Sequence, residues 1–168
     1  MEVKINHFLG LPQLKKNSQA IFLGCGPSIR DIDEAFLEKL ENLDIWTSNS
    51  WIIHNKIVPD FYHVEVKAHR SGPLFERLCI EKAVEYKDVN WIIDGTRGHL
   101  LNYVKPNLYD SIYAYPKYYR RETSGKYKLH PQAVAVSNNA SLTVILDMMA
   151  RMNYEKISAF HMCRSVEM

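Results

Sequence analysis

Short apolar runs recur along this chain, and each halts at a polar or glycine-containing turn. Ala20-Ile21-Phe22-Leu23 stops at Gly24, and Asp44-Ile45-Trp46-Thr47 stops at Ser48. Further runs lie within Pro59 to Val66, Val89 to Ile93, Ser111 to Tyr115 and Ile157 to Phe160. A run of this length that is apolar on both faces reads as a buried strand, because a central parallel strand is covered on both sides. Between the runs the period changes. Ile29, Ile32, Phe36, Leu37 and Leu40 predict an amphipathic helix from about Pro27 to Leu40. Leu74, Phe75, Leu78, Cys79 and Ala83 predict another, opening after Gly72-Pro73 and running to about Val84. Ser141 to Met152 is apolar nearly all round and predicts a buried helix.

Strands alternating with helices predict an open α/β sheet, mostly parallel, with helices on both faces. At 168 residues the chain suits one domain, residues 1–168, with a polar lead over 1–18 and a mobile loop over 116–130. An apolar fraction of 46% and a charged fraction of 24% exclude wholesale disorder and coiled coil. The formal net charge of +2, from 21 basic and 19 acidic residues, gives no electrostatic case for coating a nucleic acid. Cys25, Cys79 and Cys163 form no C-x-x-C pair, which argues against a zinc ribbon or a disulfide framework and for a reducing compartment. No apolar run approaches the roughly 20 residues a transmembrane helix needs. The first residues, Met-Glu-Val-Lys-Ile-Asn, lack the apolar core of a signal peptide. A cytoplasmic location is expected, with peripheral association at the inner membrane face left open.

Ligands of open α/β sheets sit beyond the carboxyl ends of the strands, so the turns after the strands carry the functional search. Gly24-Cys25-Gly26-Pro27-Ser28 joins the first run to the first predicted helix. Glycine lets backbone approach a ligand, Pro27 suits a first helical turn, and free N–H groups with the helix dipole favour a phosphate. The same residues equally suit a plain βα corner, with Ser28 and Asp31 spaced as a capping box. Thr47-Ser48-Asn49-Ser50 offers hydroxyls and an amide for a ribose or base edge, or simply turn residues. Period-2 alternation puts His63, Glu65, Lys67 and His69 on one face; Lys67 makes a metal there a poor fit, and a solvated or cleft-lining face is expected. Asp31 and Asp33 match a D-x-D pattern, but two residues apart on a helix they share no face, so cap and surface charge is the reading. Ser137-Asn138-Asn139-Ala140-Ser141 leads into the buried helix and can cap it or help its N–H groups hold an anion. Tyr109, Tyr113, Tyr115, Tyr118 and Tyr119 mix with Lys117, Arg120, Arg121, Lys126 and Lys128. A solvated loop over the cleft, rather than a nucleic-acid surface, is expected there.

Taken together, Ile21-Phe22-Leu23-Gly24-Cys25-Gly26-Pro27-Ser28, Ser48-Asn49-Ser50 and Ala140-Ser141 followed by Asn153-Tyr154-Glu155-Lys156-Ile157 resemble the bacterial sialyltransferases of glycosyltransferase family 42. They also resemble the motility accessory factors and the hydroxymethylpterin pyrophosphokinase-like proteins. The similarity spans most of residues 19–160, and the Gly-x-Gly-Pro-Ser turn is its most specific part. It implies a Rossmann-like nucleotide-binding domain with a lid and a metal-independent reaction. By the resemblance, Gly24, Cys25, Gly26, Pro27, Ser28, Asn49, Ser50 and Ser141 line a site for a CMP-linked sugar. Three departures stand out. Cys25 replaces the family's Asn, the family's Gly-x-Asp would fall at His161-Met162-Cys163, and the sequence stops at Met168, short of the region holding the family's catalytic His and its tyrosine pair. No general base is carried over, although His63 and His161 are the imidazoles nearest to that role.

The leading expectation is therefore a glycosyltransferase-like protein that binds a nucleotide sugar, CMP-sialic acid in type, with a glycan acceptor and no nucleic-acid partner. Needing no cofactor, it would treat the CMP-sugar as donor substrate; a homo-oligomer is left open. A non-catalytic nucleotide-binding domain or remnant is the second reading, and pyrophosphoryl transfer to a pterin is the third.

Overall fold

The computed structural model describes residues 5–26, 29, 32–54, 56–65, 68–94, 102, 104, 108–115 and 141–160. Seven strands build a single sheet: β1 (Ile5–His7), β2 (Gln19–Leu23), β3 (Asp44–Ser48), β4 (Phe61–Val64), β5 (Asn90–Asp94), β6 (Ile112–Tyr115) and β7 (Lys156–Phe160). Their order is β1-β6-β5-β4-β3-β2-β7, and every pairing is parallel. Among the described residues three α-helices accompany them: α1 (Glu34–Glu38), α2 (Ala68–Glu81) and α3 (Ser141–Arg151). This is the open, Rossmann-like α/β sheet that the alternation of runs predicts.

Side chains alternate along each strand, so every buried strand feeds two cores. On one side Leu23, Tyr62, Val64, Trp91 and Ile93 pack with Phe75 and Cys79 of α2 and with Tyr86 and Tyr109. Rings dominate there: Trp91 lies 4.3 Å from Tyr109 and meets Tyr62 edge-on at 4.8 Å, centroid to centroid. On the other side Phe22, Trp46, Phe61 and Ile92 pack under Val144, Ile145, Met148 and Met149 of α3. Helices therefore cover both faces.

The amino end of the sheet is tied by two carboxylates. Asp44, fully buried, accepts from the amides of Lys16 and Asn17 at 3.1 Å each, from Asn17 Nδ2 at 3.0 Å and from the Tyr154 hydroxyl at 2.6 Å. Asp60 accepts from Ile45 N at 2.9 Å and from Lys16 Nζ at 2.7 Å. Burial first, and the Asp44 hydrogen bond second, hold the Tyr154 phenol far above its ordinary range. The hydrogen bond to Asp60 raises Lys16 against a smaller opposing effect of burial.

Three predicted boundaries move. The polar lead over 1–18 is, from residue 5 on, part of the fold: β1 pairs with β6, and a 3-10 segment, Phe8–Leu14, buries Phe8 and Leu11 against the α3 side. Pro12 and the brevity of these pieces hide them from a periodicity search. The first helix covers only Glu34–Glu38, not 27–40. Ile29 and Ile32 are buried as the spacing requires, but through tight turns in which Ile29 N donates to Gly26 O and Ile32 N to Ile29 O. The second helix begins at Ala68, four residues before Gly72, and runs through Pro73. Having no N–H, Pro73, in the second turn, leaves out one i→i−4 hydrogen bond of the helix.

Candidate functional site

The carboxyl ends of β3 to β6 carry polar residues above an apolar layer. On the α3 side, Trp46, Phe61, Ile92 and Tyr113 form the lower layer. Directly above, in the same alternation, stand Ser48, His63, Asp94 and Tyr115, each at most 5% exposed. Register puts Ser48 beside His63 and Asp94 beside Tyr115. His63 Nε2 and the Tyr115 hydroxyl are 2.8 Å apart. Burying such groups costs free energy unless they are hydrogen-bonded, and the His63–Tyr115 contact meets that demand for two of the four. On the opposite face the Thr47 hydroxyl is buried with no hydrogen-bond partner among the described residues.

Outside this layer three side chains meet. Asn49 leaves β3 in the left-handed region, φ 48°, where Asn is among the few non-glycine residues at ease. Its carbonyl accepts from the Tyr62 hydroxyl, which in turn accepts from Ile52 N at 3.3 Å. Burial holds the Tyr62 phenol well above its usual range. Asn49 Oδ1 takes the Glu65 amide at 2.7 Å, and Asn49 Nδ2 donates to Ser141 Oγ at 3.1 Å. Ser141 Oγ donates to Glu65 Oε2 at 2.8 Å. All three residues are half-buried. The triangle joins the ends of β3 and β4 to the first residue of α3.

The expected site residues divide. Asn49 and Ser141, 92 positions apart, are brought into contact. Gly24 is buried and its amide is spent on Phe160 O at 3.0 Å, extending the β2–β7 pairing, while Cys25 is exposed and Gly26 half-buried at the same end. Ser50 is exposed in the 3-10 segment Asn49–Ile53. Pro27, Ser28, Asp31, Lys67, the 116–130 loop, residues 137–140 and His161 to Cys163 lie outside the described residues. The expected phosphate cradle at the first helix needs correction. With only five residues, α1 has too few aligned amides, and Asp33 Oδ1 already caps it by taking Phe36 N at 2.8 Å. An open depression of about 820 Å³ beside α1 includes Asp33, Glu34 and Glu38 with Lys56 in its wall, a poor setting for an anion. The turn amides after Gly24 are what is left of that cradle.

His63 and Glu65 were expected on one strand face with Lys67 and His69. The strand ends at Val64 and His69 falls in α2, so that face does not exist, and His63 is enclosed rather than solvated. Sequence reading passes over Asp94 and the partnership of Glu65, and it places Tyr109, Tyr113 and Tyr115 in a solvated loop, whereas all three are buried, Tyr113 and Tyr115 within β6. A usable signal was present, since the strands β3, β5 and β6 each finish on a polar or hydroxylated residue. Among the described residues no group of three or more His, Cys, Asp or Glu could hold a metal, and no helix is long and apolar enough to cross a membrane. Comparison with protein-family models, with curated proteins and with solved structures found no match to this chain.

Proposed function

We propose that this protein binds a nucleotide sugar, CMP-linked, across the carboxyl ends of β2, β3 and β4, and transfers the sugar to a hydroxyl-bearing glycan acceptor. One observation carries the reading: Asn49, Glu65 and Ser141 converge at the sheet end where an open α/β sheet takes its ligands, one and two strands from the Gly24-Cys25-Gly26 turn. The resemblance of that turn to sialyltransferases supplies the class of donor. The anionic group belongs at the amides of Cys25 and Gly26, and the hydroxyl-rich part toward Asn49. In the reaction the acceptor hydroxyl gives its proton to a base and attacks the anomeric carbon as CMP departs. His63 is enclosed and bonded to Tyr115, so it has no part as that base in this reading.

A second reading, a nucleotide-binding domain without turnover, is favoured by the way Asn49 and Ser141 already satisfy one another. One experiment separates the two. A ligand at one hundred times its dissociation constant stabilises by about 2.7 kcal/mol, a Tm rise of roughly 5–10 °C for a chain this size. CMP and CMP-sialic acid are both expected to give such a rise, and CMP release from the conjugate to mark the enzyme. A rise without release supports the binding domain. No rise with either, alongside one with pterins or other nucleotides, overturns the donor assignment.

A further inference from the structure

Two hydrogen bonds fix Glu65 just beyond β4. Asn49 Oδ1 takes its backbone N–H, and its Oε2 accepts from Ser141 Oγ. The side chain is half-buried, in contrast to His63 and Asp94 in the enclosed layer beside it. A carboxylate offers acceptors only, with about four lone-pair directions on its two oxygens, so a ligand hydroxyl can share the group with Ser141. The neighbouring Asn49 has a second Nδ2–H beyond the one given to Ser141, which places a donor beside the acceptor. An acceptor-only group favours ligand groups that donate hydrogen bonds. The Gly24–Gly26 turn sits two strands away, roughly 10 Å at ordinary strand spacing. One ligand therefore finds separate seats for its phosphate and its hydroxyls.

We propose that Glu65 is the diol-reading residue of the site, accepting hydrogen bonds from vicinal hydroxyls of a sugar whose phosphate lies at the β2 turn. The proposal rests on the nucleotide-sugar reading and deepens it. Vicinal hydroxyls belong both to the ribose and to the transferred sugar, and the test tells these apart.

The full chain is titrated calorimetrically with CMP, 2′-deoxy-CMP and CMP-sialic acid, as wild type and as Glu65→Gln, which keeps an acceptor for Ser141. If Glu65 reads the ribose, wild type prefers CMP over the deoxy form about tenfold or more, and Glu65→Gln loses both that preference and about tenfold in CMP affinity. If it reads the transferred sugar, Glu65→Gln binds CMP as wild type does and CMP-sialic acid about tenfold more weakly. Binding of all three by Glu65→Gln at wild-type strength overturns the proposal while leaving the donor reading intact. Should wild type bind neither CMP nor its conjugate, the donor reading falls. AMP, GMP and UMP with their deoxy forms then decide: Glu65-dependent discrimination in any pair sustains the proposal, and none in any pair ends it. Ser141→Ala, which unclamps but keeps the carboxylate, serves if Glu65→Gln does not fold: the same preference at severalfold lower affinity is expected, and no preference overturns the assignment.

Discussion

Asp44 and Glu65 are carboxylates at opposite ends of one sheet, and they are treated differently. Asp44 opens β3 fully buried, with two backbone amides, a side-chain amide and a phenol all directed at it. Glu65 follows β4 half-buried, with Ser141 as a hydroxyl partner and Asn49 holding its backbone. The amino end uses charge to fasten the segments preceding β2, β4 and β7 to the start of β3 and to one another. The carboxyl end spends hydrogen bonds on fixing an acceptor where solvent reaches it. A saturated buried carboxylate reports stability; a clamped, half-buried one suits the recognition proposed for it.

Asp44→Ala tests the first half most severely. Four donors lose their acceptor at once, and a loss of about 3–5 kcal/mol is expected from urea unfolding, since each stranded buried group keeps its desolvation cost. Glu65→Gln should move the same curve by less than about 0.5 kcal/mol. Equal losses at both ends would erase the distinction.

Asn49→Ala should cost about 2–3 kcal/mol, for two side-chain hydrogen bonds and a left-handed backbone that alanine resists. Asn49→Gly, at home at φ 48°, should cost roughly 1 kcal/mol less. Both variants unfasten Glu65, so both should weaken the proposed nucleotide binding alike even though their stabilities differ.

Alkali acts mainly away from the carboxyl edge, where Tyr62 is the exception. Burial raises the phenols of Tyr154, Tyr86 and Tyr109, and pushes the Cys79 thiol up to about 12. The folded chain keeps these protons while the unfolded chain releases its tyrosine protons near pH 10, so stability falls as pH rises from there toward the folded values. Tyr154→Phe removes one such group and should flatten the fall by up to about 1.4 kcal/mol per pH unit. Thermal melts between pH 7 and 11 measure both slopes, and parallel slopes would contradict the role given to Tyr154.

Lys16→Met is expected to have the smallest effect. The Lys16–Asp60 pair is short at 2.7 Å, but the lysine side chain is 63% exposed, so about 0.2–1 kcal/mol is expected, vanishing in 1 M salt. Because Lys16 is raised, its contribution is complete at neutral pH and is lost as pH climbs through the folded value.

The sheet was largely legible in the sequence because buried parallel strands have nothing to alternate with; a run such as Asn90–Asp94 declares itself. The first helix was misjudged because Ile29 and Ile32 obey a helical spacing through successive tight turns, which bury the same side chains without forming a continuous helix. The β1 strand and the 3-10 segment after it are too short for any period. Of the site, Asn49 and Ser141 were individually conspicuous as polar residues at element ends. Their contact with each other and with Glu65 was not, because closure over such a separation leaves no local pattern.

That separation sets an order of events. Ser141 arrives with α3, long after Asn49 and Glu65 have been synthesised, and distant segments meet late in folding because loop closure is costly. An intermediate holding β2, β3 and β4 alone would possess the turn and the amide yet lack the hydroxyl that steadies the acid. On the proposed reading, nucleotide capture would be reserved for molecules in which α3 has docked, and half-finished chains would pass the ligand by.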